Sequence, residues 1–229
     1  NLSISKRGEN SGYRLSMGYA NNKGNLATAY DGQKQYNLRF NHDYKLSKSV
    51  LLESSLTVQN SNTSTPSSGL DGTLFANDMP FFPAKNPFGQ WNANFGNVGN
   101  RNAAAATADG GRDDQFRTLY RLDLKGTLNI TSHLSFEAMG SLQNEEFRRE
   151  RYVNPVQLYD WYGNKSNEAL QSTVQNSGNP GYQTWANSSF YEFYSAMLNY
   201  KNTFAGSHNL VVTGGINAEK SQNKNMWGS

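Results

Sequence analysis

Residues 36–46 alternate with a strict period of two. Tyr36, Leu38, Phe40, His42, Tyr44 and Leu46 fall on one side, and Asn37, Arg39, Asn41, Asp43 and Lys45 fall on the other. Such alternation is the signature of a β-strand with unlike environments on its two faces. The same pattern recurs along the chain. Leu2 and Ile4 mark a short strand at 2–6, and Tyr13, Leu15, Met17 and Tyr19 line the next. Val50, Leu52, Leu56 and Val58 mark a fourth, and the even positions from Phe116 to Ile130 a fifth. Leu134, Phe136, Ala138, Gly140 and Leu142 continue the pattern, followed by Phe190, Tyr194, Ala196, Leu198 and Tyr200, then by Leu210, Val212, Gly214, Ile216 and Ala218. The prediction is about eight antiparallel strands.

Period two alone does not say whether the apolar face meets lipid or a protein core. Strand length and the sorting of the connections do. The run at 116–130 is long beside a globular strand of about 5–6 residues, and a tilted membrane strand needs only about 9–11. Connections at 47–49, 131–133 and 205–207 are short, 21–25 is a moderate Gly/Asn turn, and 60–113 and 145–186 read as long polar loops. Short turns at one end and long loops at the other are the habit of outer-membrane barrels, whereas a β-sandwich has no reason to sort its loops by end. Aromatic residues near strand ends, Tyr13, Tyr19, Tyr36, Tyr44, Phe116 and Tyr200, suit interfacial girdles. The expected fold is therefore all-β: an antiparallel, up-and-down transmembrane β-barrel segment with long extracellular loops. Tyr36, Leu38, Phe40 and Tyr44 are expected to face lipid. Arg39, Asn41, Asp43, Arg117, Arg121 and Asp123 are expected to face the lumen.

Composition agrees. A mean hydropathy of −0.76 would argue against a helical membrane protein, and no apolar run reaches the 18 or more residues that a membrane helix needs. A barrel tolerates it, because half of every strand faces a polar interior. The 229 residues carry 21 basic and 18 acidic side chains, net +3, with no basic block that would mark a nucleic-acid interface. The absence of cysteine excludes disulfides and thiolate chemistry. The chain starts within strand-like sequence and ends on polar residues, so 1–229 is expected to be an internal part of a longer barrel protein.

No catalytic constellation emerges, and an enzyme is not expected. His42, His133 and His208 are far apart, and His42 suits the apolar face near a strand end as an interfacial ring. "FGNVGNRN" (95–102) lacks the lysine and strand–helix setting of a phosphate loop. "DGGRDD" (109–114) reads as a solvated loop rather than a cation site. Neither a metal nor a cofactor is expected.

Particular residues also suggest a family. Tyr13, Ser16, Gly18 and Tyr19, the turn with Gly24, and then Tyr36, Asn37, Arg39 and Asn41 form a Tyr-x-x-Ser-x-Gly-Tyr strand followed by a Tyr-Asn-x-Arg-x-Asn strand. This region resembles the mid-barrel of SusC/RagA-type TonB-dependent transporters of Bacteroidetes outer membranes. "MPFFPAKNPFGQW", with Pro80, Pro83, Gly89 and Trp91, and "RTLYRLDLKGTLNITSHLSFEAMGS" are similar to the segments that follow there. Lys6-Arg7 before Gly8 departs from the glycine pair often found in the family. The resemblance implies a bacterial outer-membrane location and active uptake of a large nutrient, a glycan or an oligopeptide. It further implies a SusD-like surface lipoprotein as partner and energy from TonB acting through a plug domain. Plug, TonB box and terminal strands would lie outside 1–229. On this view the loop aromatics Phe81, Phe82, Trp91, Trp161, Tyr162 and Trp185 would contact substrate or partner, since aromatic faces stack on sugar rings and pack on peptide side chains. Two alternatives stay open at this point: a self-contained eight-stranded outer-membrane barrel, and a soluble secreted β-sandwich that binds carbohydrate.

Overall fold

The structure, a computed structural model, describes residues 1–67, 83–93, 102–165 and 181–229. Among the described residues the strands are β1 (Leu2–Arg7), β2 (Ser11–Lys23), β3 (Gly32–Lys45), β4 (Val50–Pro66), β5 (Arg112–Asn129), β6 (Leu134–Val153), β7 (Gly181–Phe204) and β8 (His208–Gly228), and a helix, α1 (Ala103–Asp109), precedes β5. All eight strands form one antiparallel sheet in sequence order. Among the described residues β1 pairs only with β2 and β8 only with β7, so the sheet is open and does not close into an eight-stranded barrel. Among the same residues no second sheet covers either face.

Local chemistry fixes the short turns. The Ser47 hydroxyl accepts from the backbone N–H groups of Ser49 (3.2 Å) and Val50 (3.1 Å). Thr131 repeats the device with His133 and Leu134, both at 3.1 Å. The third turn instead uses left-handed backbone at Ala205 (φ 52°) and Gly206 (φ 68°).

Direct cross-strand pairing carries one face through the whole sheet. Tyr36, Leu38, Phe40 and Tyr44 share a face with Leu52, Leu56, Leu122, Leu124, Phe136, Leu142, Tyr194 and Ile216. These side chains are not covered: Leu124 is 53 % and Ile216 79 % exposed. They form a belt running over 36–44, 50–58, 120–128, 134–142, 190–200 and 210–218.

The belt is slanted against the register. The cross-strand line through Phe40, the belt's midpoint on β3, reaches Lys220 on β8, whereas the midpoint there is Gly214, six residues nearer the turns. Six residues at about 3.3 Å each, spread over five inter-strand gaps of about 4.8 Å, put the strands about 40° from the normal to the belt. Barrel strands tilt by about 35–45°. A flat boundary between two solvents that cuts tilted strands produces this slant.

Beyond the belt, on the side of the long connections, lies a small conventional core. Ala93, Ala105, Val156 and Leu158 cluster, Trp91 packs on them, and Ala105 and Leu158 are fully buried. Asn102 caps α1: its side-chain oxygen accepts from Ala105 N (2.9 Å) and its amide donates to Ala84 O (2.7 Å) and Asn92 O (3.0 Å). Between this cap and the strands lies Gly111 at φ 105°, where a β-carbon would come within 2.1 Å of the Tyr152 carbonyl oxygen.

Several expectations change. The loops expected at 60–113 and 145–186 are shorter, because β4 runs to Pro66, β5 starts at Arg112, β6 runs to Val153 and β7 starts at Gly181. The tract at 103–108, inside the loop expected at 60–113, is helical. "DGGRDD" is no loop throughout: it ends α1 and opens β5.

Candidate binding face of the sheet

The face opposite the belt is polar, and its charges are arranged in pairs. Arg39, Asn41, Asp43, Arg117, Arg121 and Asp123 all lie on it, because Arg39 aligns with Thr57 and Arg121, Asn41 with Ser55 and Asp123, and Asp43 with Glu53 and Lys125. Asp43 is bound by Arg7 (2.7 Å), Arg117 by Glu145 (2.6 Å), and Arg121 by its strand neighbour Asp123 (2.9 Å). Asp123 also accepts from the Ser141 hydroxyl (2.6 Å), and Asn41 from that of Ser55 (2.9 Å). Lys125 stands 3.5 Å from both Glu53 and Glu137. Arg39 lines a shallow hollow with Arg14, Asn37 and Asn41. Most of these pairs are half exposed, so each contributes about 0–1 kcal/mol and the set tunes the polarity of the surface more than its stability.

Nearer the loop end the same face becomes aromatic. Arg149 grips Asp113 in a two-pronged contact, its Nε 2.8 Å from Oδ1 and its Nη2 on Oδ2, while the guanidinium lies 4.9 Å from the centre of the Trp185 ring. Trp185 is paired across strands with Trp227, and Phe147 with Asn187 and Arg117. Gln115, Phe147, Arg149, Trp185, Asn225 and Trp227 line a hollow of about 390 Å³.

The aromatic residues expected to act from loops divide. Phe81 and Phe82 lie outside the described residues, as does Pro80. Trp91 belongs to the cap: its indole N–H donates to Asp109 Oδ2 (2.5 Å) and Lys85 Nζ sits 4.5 Å over its ring. Trp161 and Tyr162 stand out on a turn ordered by Asp160, and Tyr162 is 78 % exposed. The Asn164 side-chain amide, followed by the backbone N–H groups of Asn164, Tyr162 and Gly163, holds the Asp160 carboxyl below the usual carboxylate range, against a smaller opposing effect of desolvation. Trp185 is a correction: it is a strand residue of β7 on the polar face, not a loop residue. Phe147, Arg149 and Trp227 were not singled out from sequence. Their odd-numbered spacing along β6 and β8 was the available signal, and the polar residues on both faces there obscured it.

His42 stands on the belt face, stacked between Phe40 and Tyr44 with ring centres 6.4 Å from each. Asp109, Asp113 and Asp114 are engaged by Trp91, Arg149 and Ser64 respectively. Among the described residues no three His, Asp or Glu side chains gather as a metal site.

The fold is thus an up-and-down antiparallel wall with one apolar and one polar face. No protein-family model and no curated protein matches the sequence. The chain is similar to chains of the RagAB peptide importer in solved structures. In the open-open state the TM-score is 0.72 at 15 % identity, covering 99 % of this chain and 24 % of that one. In the closed-closed state it is 0.65 at 12 % identity, covering 99 % and 28 %. For a structure of the RagAB peptide transporter it is 0.66 at 13 % identity, covering 96 % and 25 %. At these identities the likeness is one of fold, and the chain spans about a quarter of the length of each transporter chain.

Proposed function

We propose that residues 1–229 form part of the wall of an outer-membrane importer, with the belt in lipid and the polar face toward a wet lumen. The observation that carries this reading is the slanted, uncovered belt. A soluble sheet would bury such a surface, and a core would have no reason to cut the strands at a barrel's tilt. The fold likeness to a peptide importer supports import as the activity, with a glycan or an oligopeptide as cargo. On this reading the long connections and the cap lie outside the cell, where a SusD-like lipoprotein meets the barrel, and TonB supplies energy through a plug region. The wall itself catalyses nothing; it separates lipid from lumen and shapes the path.

Residues 1–229 contain no cysteine, so once any cysteine elsewhere in the full-length protein is replaced, single cysteines for spin labels can be placed at any position of this stretch. In the full-length protein folded into lipid vesicles, labels at 120, 122 and 124 should be quenched by oxygen, and labels at 121, 123 and 125 by a water-soluble nickel chelate. Nickel access at 122 and 124 would refute the membrane reading.

A further inference from the structure

We infer that the hollow around Trp185 is a stacking platform for an uncharged carbohydrate. The inference deepens the importer reading and rests on it, because it needs the polar face to line a wet lumen.

On β5, β6 and β7 the backbones spend their N–H and C=O groups on ladders to both neighbours, so an extended peptide cannot add itself as a strand across the hollow; only the outer edge of β8, paired on one side with β7, is open to another strand. A peptide would have to be held by side chains, with its termini or charged residues seeking counter-charges. Within the lining the one cation is engaged, Arg149 by Asp113, and below it Arg117 by Glu145; Arg151, the next residue up on this face and outside the lining, donates from Nη2 to the Ser67 carbonyl (2.8 Å) while its Nε has no partner among the described residues. What remains is flat rings and neutral amides. Trp185 and Trp227 stand directly opposite each other on β7 and β8, Phe147 sits two residues below their register line on β6, and Gln115, Asn187 and Asn225 border them.

This combination suits a sugar. The C–H face of a pyranose ring lies flat on the electron-rich face of an indole, and its hydroxyls exchange hydrogen bonds with side-chain amides, which both donate and accept. The Asp113–Arg149 clamp fixes the Trp185 ring before any ligand arrives, so little side-chain freedom is lost on binding.

The test uses the full-length protein in detergent and three probes: a panel of neutral oligosaccharides (gluco-, xylo- and manno-hexaoses), a capped neutral peptide, and a peptide with free termini. Tryptophan fluorescence and calorimetry report binding. At least one oligosaccharide should bind and perturb indole emission. Trp185→Ala should weaken it at least about 10-fold, Trp227→Ala similarly, and Trp185→Phe much less, since the ring face is retained. Heat-modifiable migration on gels shows whether each variant is folded. The inference is overturned if no oligosaccharide binds the folded protein, if binding ignores both tryptophans, or if the peptides bind through them instead. In each case the alternating spin-label pattern still stands, so failure of the platform is distinct from failure of the wall.

Discussion

The wall and the cap are built from opposite rules. In the wall the large apolar side chains point outward, and Leu124 and Ile216 are more than half exposed. In the cap the buried residues are small or neutral, Ala105, Ala106, Thr107, Asn92 and Leu158, all at 0 % exposure. One chain thus treats the same residue type in two ways within a few strand lengths. The difference is the one expected if the proposed wall stands in a membrane: lipid would take the place of a core around the belt, whereas water forces a core to form in the cap.

The comparison can be broken at either end. The largest effect is expected in the cap, where Leu158→Ala leaves a cavity and should destabilise that region by about 2–5 kcal/mol. Limited proteolysis should then cut within 154–165 while the thermal transition of the barrel stays unchanged; a shared transition would show that the cap is not separate. In the wall, Leu124→Arg should cost about 2–4 kcal/mol in a bilayer because it places a charge at mid-belt. Thr127→Arg, on the other face of β5, should change stability by no more than about 0.5 kcal/mol. Folding titrations of the two variants in lipid vesicles should separate clearly, and equal costs would remove the distinction between the faces. At the seam, Gly111→Ala should cost about 1–3 kcal/mol, since it strains a left-handed backbone and drives a methyl group into the Tyr152 carbonyl. Differential scanning calorimetry reads that loss.

The smallest effect concerns the Asp160 turn. Its carboxyl titrates below the ordinary carboxylate value of about 3.9, so the ordering it provides is present above that pH and is lost as pH falls through the depressed value. Trp161 emission, isolated by difference against Trp161→Phe, should shift on acidification in that window, and Asp160→Asn should abolish the shift.

The legibility of the sequence follows the same boundary. Within the belt one face is apolar and the other polar, so the even and odd positions of β3 and β5 advertised their strands. Above it both faces are wet. Glu146, Arg148 and Glu150 on one side of β6 alternate with Glu145, Phe147, Arg149 and Arg151 on the other, and the period disappears although the strand continues to Val153. That is why Trp185 read as a loop residue and why the hollow beneath it was missed. The helix escaped for another reason: at seven residues it is too short to show a period, although alanine's helix propensity and Asn102 as a cap were both visible. The shared face of Arg39, Asn41, Asp43, Arg117, Arg121 and Asp123 was legible because each lies within the belt's span or a few residues from it.

The strands also grow along the sheet, from 14 residues in β3 to 20 in β6 and 24 in β7. On β3 the strand ends four residues above Tyr36, while on β8 it continues ten residues beyond Ala218. With a rise of about 3.3 Å per residue and a tilt near 40°, the strand ends climb from about 10 Å to about 25 Å above the belt. In the proposed importer this stretch of the rim would be oblique. Cargo drifting along the cell surface would then meet the low sill first and the tall side as a backstop, with the direction of approach set by strand length.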